Sequence, residues 1–252
     1  MSSSILTRTT LAALLFAAIP LSSVNAVAST PLVASPLTTA QATHLDNLKS
    51  HGTAEIDRRI SNLNAALLKL NATTKLTAAD KTALTNTINA EISGLNTLKA
   101  KLTADTDLAT ARTDVQSIVS DYRVYVLLLP KTRLVASADR FTAVENQLTQ
   151  LSVKLQTKVD AAKTAGKDVT TMQVSLTDLK NKLADAQEKS TSVIAPLLAL
   201  QPTDYNQNHA VLVNYRNSLM AAHDGVMAAR DDAKSVIQAL KGTASPSASP
   251  KS

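Results

Sequence analysis

Apolar residues recur every three or four positions over most of the chain. One segment carries them with spacings of 4, 3, 4 and 3, at Ile56, Ile60, Leu63, Leu67 and Leu70. This spacing places them on one face of an α-helix, with a repeat of 3.5 residues. No segment shows the period-two alternation that is typical of a half-buried strand. We therefore predict an all-α chain.

The same pattern predicts five further helical segments. Their apolar positions cover residues 84–102, 108–129, 141–155, 172–200 and 212–240. At the start of the first of these, Thr77 precedes Asp80 by three residues, which resembles a capping box. Pro196 should kink the end of the segment 172–200, because proline cannot continue the backbone hydrogen bonding of a helix.

The connections between these helices are short, which restricts how the helices pack. Linkers of two to seven residues favour antiparallel neighbours. The segment 107–165 is about twice as long as each of the first two helices. We therefore predict an elongated antiparallel helical bundle, made of two three-helix bundles joined through a long central helix segment that is kinked near Pro130. In its general plan this resembles the spectrin-repeat arrangement, although the sequence has no specific spectrin motif.

Two other arrangements fit the same helical segments. A compact six-helix bundle would require a sharp turn at Pro130. A long dimeric coiled coil is disfavoured, because turns recur about every 30 residues. The sequence leaves open whether the central segment is one kinked helix or two helices, and whether the bundle is rod-like or compact.

The composition is typical of helices held together by aliphatic side chains. Aromatic residues make up only 2% of the chain and tryptophan is absent, so leucine, isoleucine, valine and alanine must form the core. The chain has only 5 glycines and 8 prolines, which predicts few turns and long helices. The absence of cysteine excludes disulfides, thiol nucleophiles and thiolate metal sites.

The N-terminus predicts export. Arg8 is followed by an apolar stretch, residues 11–21, and then by small residues that suit a cleavage site. We expect a cleavable signal peptide over residues 1–26, and an extracellular, periplasmic or cell-surface location for the mature protein. No second apolar run is long enough to span a bilayer, so we expect no transmembrane segment in the mature chain.

The remaining boundaries follow from composition. Residues 27–40 contain two prolines and no periodic pattern, which predicts a flexible linker. Residues 243–252 are rich in Ser, Pro and Ala, which predicts a disordered tail. The two predicted bundles then cover residues 41–130 and 131–242.

The sequence contains no motif of a catalytic, nucleotide-binding or calcium-binding site. We therefore expect no enzymatic activity and no cofactor. Nucleic-acid binding is not expected either, since the chain lacks a dense basic stripe with interleaved aromatic residues. The net charge of +6 is spread without runs of like charge, so only weak binding to anionic surfaces is expected. No metal site is indicated by the histidines, because His44 and His51 are too far apart along one predicted helix to bind one ion, as are His209 and His223; an approach between different helices is left open.

Tyrosine and basic residues cluster within and just after the segment 121–135. Both residue types are enriched at interaction hot spots. The candidate interaction residues are Tyr122, Arg123, Tyr125, Lys131, Arg133 and Arg140. Tyr122 and Tyr125 also lie on the heptad seam, so an alternative interpretation is that they are core residues.

Four consecutive apolar residues, 126–129, precede Pro130 in this segment. A helix that is apolar on most sides should be surrounded on most sides. We therefore expect a buried joint between the two bundles, with Leu127 and Leu128 inside and with Lys131 and Arg133 at its solvent edge. Pro130 is expected to produce a kink or to start a new helix.

These observations favour a non-enzymatic protein. The leading hypothesis is an exported helical scaffold or interaction protein whose partner is a protein or glycan of the cell envelope. The alternative is a module whose amphipathic helices bind anionic lipid or cell-wall polymer. An enzyme is a third class, and its best candidate for a catalytic group would be His223.

Overall fold

The structure is a computed structural model that describes residues 37–244. Within this range the regular secondary structure is entirely helical, so the predicted all-α class is confirmed. A π-helical turn, Val124–Leu128, precedes the fourth α-helix. The α-helices of this range are α1 Thr39–Ala72, α2 Ala78–Ala104, α3 Leu108–Ser120, α4 Leu129–Thr164, α5 Thr170–Thr191, α6 Ile194–Ala199, α7 Pro202–Gln207 and α8 Val211–Ala244.

The predicted signal peptide, residues 1–26, lies outside the described residues, as do residues 27–36 of the predicted linker and 245–252 of the predicted tail. The last two linker positions, 39 and 40, are helical because Thr38 forms a capping box. Its hydroxyl oxygen accepts a hydrogen bond from the backbone N–H of Gln41, and its own N–H donates to the Gln41 side chain.

Buried apolar side chains form two clusters. The first takes residues from α1, α2, α3, the π-helical turn and the start of α4, and also from 193–200 and the start of α8. The buried members of the second cluster all belong to α4, α5 and α8. Both α4 and α8 therefore contribute to both clusters. The first cluster does not end at Pro130, because the chain beyond residue 192 returns to pack on it.

The central segment breaks earlier than the sequence predicts. The prediction places the first interruption at Pro130, whereas α3 already ends at Ser120. Asn206 lies across this end, where its side-chain N–H₂ donates to the carbonyl of Ser120 over 3.0 Å and its side-chain oxygen accepts from Arg123 Nε over 2.6 Å. These contacts satisfy a carbonyl that the end of a helix leaves free. Pro130 itself lies in the first turn of α4, where proline is tolerated.

Two other local features follow from steric limits. The helix expected to kink near Pro196 is interrupted between Thr191 and Ile194, since a proline removes a backbone donor and crowds the preceding turn. In α1, Gly52 is buried and the helix continues through it. A Cβ atom at Gly52 would lie 2.5 Å from Leu102 Cδ2 and 2.8 Å from Val115 Cγ2, so this glycine lets α2 and α3 approach α1 closely.

Candidate functional site

The six candidate interaction residues lie in different parts of the structure and contact different helices. Tyr122, Arg123 and Lys131 face the chain between α6 and α7. Tyr125 and Arg133 face α1, and Arg140 lines a depression between α4 and α8. The six residues therefore do not form one continuous surface.

Tyr125 is held by α1. Its hydroxyl oxygen accepts a hydrogen bond from Asn62 Nδ2 over 3.2 Å, and the guanidinium carbons of Arg59 and Arg58 lie 5.0 and 5.5 Å from the centre of its ring. Cation–π contacts of this kind contribute about 0.5–1 kcal/mol each at exposed sites. In this setting the tyrosine and both arginines already have intramolecular partners.

Arg133 is exposed and lines a small depression between α1 and α4. The depression has a volume of about 190 Å³, and its polar lining includes Asn62, Lys69, Thr73 and Thr132. It is smaller than the sites that usually enclose organic ligands.

The central joint is buried at Leu127 and Leu128, as predicted, whereas Val126 of the same apolar run is 42% exposed. Leu127 and Leu128 are 2% and 4% exposed. The prediction for Lys131 is wrong, because this residue is only 2% exposed and does not lie at a solvent edge. Its ammonium group donates to the carbonyl oxygens of Leu200 and Leu198 over 2.9 and 3.4 Å, at the C-terminal end of α6. A helix C-terminus supplies unpaired carbonyls and partial negative charge, which compensates for burial of the cation.

Glu91 of α2 lines the same small cavity as Lys131 and Tyr122. Burial raises the pKa of Glu91 to about 7, and the nearby charge of Lys131 opposes this rise. Burial also lowers the pKa of Lys131 and raises the pKa of Tyr122. Glu91 Oε2 is buried and has no hydrogen-bond partner among the described residues. The cavity measures about 20 Å³, which suits one water molecule and excludes a substrate.

Arg140 belongs to a much larger feature, which we call the α4–α8 groove. Three adjoining depressions of about 270, 540 and 630 Å³ form it. The first two share Phe141 and His223, and the last two share Leu151, so the groove is continuous. All its lining residues come from α4 and α8. They extend from Leu134 to Ala162 on α4, which corresponds to a length of about 42 Å.

The floor of the groove is apolar. Its α4 side is formed by Phe141, Val144, Leu148, Leu151 and Leu155, and its α8 side by Leu219, Met220, Val226, Met227, Ile237 and Leu240. Among the α8 side chains, Met220 and Met227 are 59% and 42% exposed. The other floor residues are half-buried or buried, so the groove presents a long apolar floor that is only partly exposed to solvent.

Helix α5 packs on the other side of α4 and α8. Glu145 of α4 accepts a hydrogen bond from the hydroxyl of Ser190, and Lys182 of α5 pairs with Asp232 of α8 over 2.7 Å. This polar contact between α4 and α5 is buried, and burial raises the pKa of Glu145. Because α5 covers one side, α4 and α8 leave the groove open on the other.

The rim of the groove is strongly basic. Six exposed cations line it, namely Arg140, Lys154, Lys158, Arg216, Arg230 and Lys241, and Asp224 is the single lining carboxylate. None of the six forms an ion pair with another residue in the range 37–244. The acid nearest in sequence to Arg230 is Asp231, whose carboxylate pairs with Lys234.

This rim accounts for the net charge of the described chain. The full sequence has 26 basic and 20 acidic residues, and only Arg8 and Lys251 among these lie outside residues 37–244. The described range therefore has a net charge of +4, with 24 basic and 20 acidic residues. The groove lining alone has a net charge of +5, from six cations and one carboxylate. All other described residues together sum to −1.

Only Arg140 of these six basic residues is among the candidates predicted from the sequence. The sequence does contain a pattern that indicates these residues. Arg140 and Lys154 are two heptads apart beside one apolar seam. Arg216 and Arg230 are two heptads apart beside another apolar seam. Only the packing of α4 against α8 shows that the two rows flank the same groove. His223 lies between Arg216 and Arg230 in this heptad series, and its ring centre is 5.7 Å from that of Phe141.

The described residues include no group of three or more His, Asp or Glu side chains arranged to hold a metal ion. None of the helices within this range has an apolar stretch sufficient to cross a bilayer. Comparisons with protein-family models, with curated proteins and with solved structures found no match.

Proposed function

We propose that this protein is a non-enzymatic helical interaction protein that binds its partner in the α4–α8 groove. The observation that supports this most directly is the coincidence of a long, partly exposed apolar floor with a basic rim. Extended exposed apolar surfaces that are rimmed by polar residues are typical of interaction sites. Unpaired cations of one sign attract a partner of opposite charge and orient it during encounter.

The fold supports a scaffold role for the rest of the chain. We propose that the two hydrophobic clusters correspond to two three-helix units, one of α1, α2 and α3 and the other of α4, α5 and α8. In support, the helices within each of these groups pack on one another. The buried Lys131 of α4 donates to the carbonyl oxygen of Leu200, just after α6, and we propose that this contact ties the two units together.

A non-enzymatic role fits the position of the titratable groups. Glu91 and Lys131, whose pKa values burial shifts, lie at a contact between helices and beside a cavity for one water molecule. The large groove is lined by cations and apolar groups, with one carboxylate and one histidine. The His223 ring lies beside Phe141, and no hydrogen bond joins His223 to Asp224 in the range 37–244, whereas hydrolytic mechanisms usually couple a base to the group that orients it.

We also propose that the protein acts in a cell envelope, as the N-terminal sequence indicates. The partner would then be a protein or glycan of that compartment. The second candidate function is binding to anionic lipid or cell-wall polymer, which the unpaired cations of the rim favour. A polymer held mainly by charge would dissociate as salt increases, whereas a partner that also covers the apolar floor would be retained better.

Site-specific photo-crosslinking in intact envelopes tests this proposal. A benzophenone side chain at Gln147, which is exposed in the groove, should form adducts with a protein or glycan. The matched control is Val153, which is 61% exposed on the same helix and lies outside the groove. Adducts from position 147 but not from 153 support the proposal. Equal adducts from both positions, or none from either, would refute it.

A further inference from the structure

We infer that the occupant of the α4–α8 groove is one acidic amphipathic α-helix, about 25 residues long, from a different protein. This inference rests on the proposed function, and it names the class of partner. A helix of this kind would add a fourth helix to the unit formed by α4, α5 and α8. Its apolar stripe would cover the floor, and its carboxylates would face the basic rim.

The dimensions of the groove suit a helix. The groove extends over 28 residue steps of α4, from Leu134 to Ala162, and over 25 steps of α8, from Arg216 to Lys241. At 1.5 Å per residue these distances are about 42 and 38 Å, the length of a helix of about 25 residues. Two neighbouring helices with an apolar seam between them are the usual surface on which a further amphipathic helix packs.

The arrangement of the cations also points to a helix. Arg140 and Lys154 on one wall, and Arg216 and Arg230 on the other, are each separated by two heptads. Charges that flank an apolar seam at heptad spacing correspond to the e and g positions of helical bundles, which select a partner of opposite charge. A partner helix would therefore carry Glu or Asp on both sides of its apolar stripe at the same spacing. Each exposed pair contributes little, so their combined effect is mainly on partner choice and association rate.

Neither a second copy nor another part of this chain has the required chemistry. A second copy docked groove to groove would bring a net charge of +5 against the same charge, and like charges repel; the rest of the described chain, with a net charge of −1, is close to neutral rather than acidic. The sequences 1–36 and 245–252 contain no Asp or Glu. Residues 27–36 also contain Pro31 and Pro36, which oppose a continuous helix.

A membrane surface fits the groove less well than a helix. The deepest floor residues are recessed, since Leu148 and Val226 are only 9% and 6% exposed. The exposed cations stand on both sides of this floor. A flat bilayer in contact with both walls would reach the rim and the exposed Met220 and Met227 but not Leu148 and Val226, whereas the convex surface of a helix would cover the whole floor.

Two synthetic peptides of about 25 residues test the inference. The ordered peptide carries a leucine and isoleucine stripe at heptad spacing, with Glu on both sides of the stripe. The scrambled peptide has the same composition and net charge, with its apolar residues dispersed around the helix. Vesicles of phosphatidylglycerol and phosphatidylcholine serve as the third probe. The protein used is the mature chain, in its wild-type form and as charge variants.

The variant Lys154→Glu/Lys158→Glu reverses two neighbouring cations of the groove. Its matched control, Lys75→Glu/Arg112→Glu, makes the same change in net charge at exposed positions outside the groove. The ordered peptide should bind the wild type and the control within about twofold of each other, and should bind the groove variant at least about tenfold more weakly at low salt. Circular dichroism melts establish that both variants are folded.

A second readout does not depend on any charge change. Because the chain contains no cysteine, Gln147→Cys provides a single attachment point for an environment-sensitive dye in the groove. The ordered peptide should shift the emission of this dye to shorter wavelength, and it should leave a dye at Val153→Cys unchanged. The scrambled peptide should bind at least about tenfold more weakly than the ordered one.

The outcomes separate this inference from the proposed function. Equal binding of the two peptides, or no binding of either, overturns the inference. Binding of the vesicles without binding of the ordered peptide also overturns it, and assigns the groove to anionic lipid. If the peptides fail while position 147 still forms selective adducts in envelopes, the proposed function stands and only the helical partner is refuted.

Discussion

Replacing Glu91 with glutamine should make the stability of the protein less dependent on pH. Glutamine has nearly the same shape as a protonated glutamate and cannot ionise. In the folded protein, burial raises the pKa of Glu91 from 4.5 to about 7. The folded state therefore binds the proton of this carboxyl more tightly than the unfolded state does.

This difference in pKa between the folded and unfolded states makes the stability of the wild type fall as the pH rises. Below pH 4.5 Glu91 is protonated in both states, and its full contribution to stability is present. As the pH rises from 4.5 to about 7, only the unfolded state releases the proton, so the wild-type protein loses stability. A shift of this size corresponds to about 3 kcal/mol. Because the Glu91 side chain keeps some contact with solvent, we expect the wild type to lose only about 1–2 kcal/mol of unfolding free energy.

Urea unfolding followed by far-UV circular dichroism, from about pH 4 to about pH 9, measures this loss. Glu91→Gln and the wild type should have equal free energies of unfolding at the acidic end, and the variant should be more stable by about 1–2 kcal/mol at the basic end. Glu188→Gln, at an exposed position of α5, controls for the loss of one charge. A constant difference across the pH range would refute the reasoning. A less stable variant at the basic end would mean that attraction to Lys131 outweighs the cost of burial.

Two further predictions concern packing. Gly52→Ala should destabilise the protein by about 1–2 kcal/mol, because overpacking against Leu102 outweighs the gain in helix propensity. Gly242→Ala should be neutral or stabilising, because a Cβ atom there meets no atom within 4 Å. Melting temperatures of the two variants that shift in the same direction would contradict this prediction. Leu179→Asp should lower the free energy of unfolding by more than about 4 kcal/mol, because it places a charge where the side chain is 0% exposed. Val174→Asp should change the free energy of unfolding by less than about 0.5 kcal/mol, because Val174 is 57% exposed. Equal melting temperatures for these two aspartate variants would show that the second cluster does not depend on this seam.

The sequence by itself determined the helical class and most of the core. A period of 3.5 residues requires one apolar face per helix, and the structure buries or half-buries most residues of that face, although Tyr125 is exposed. Ile56 and Leu63 of the first segment are 0% exposed, as is Leu179 of the fifth. The run before Pro130 was predicted to be surrounded on most sides; the burial of Leu127 and Leu128 agrees with this, and the exposure of Val126 does not. These predictions succeed because periodicity and local backbone chemistry act within a few residues of the chain.

Only the tertiary structure decided the features that depend on distant parts of the chain. Lys131 is buried because carbonyl oxygens of α6, up to 69 positions away, accept its hydrogen bonds. The end of α3 at Ser120 is satisfied by Asn206, 86 positions away. The basic residues of α4 and α8 form one rim because these helices pack side by side, with α5 on the other face. A heptad pattern specifies which face of a helix is apolar, but the helix that covers this face, or leaves it open, is set by packing.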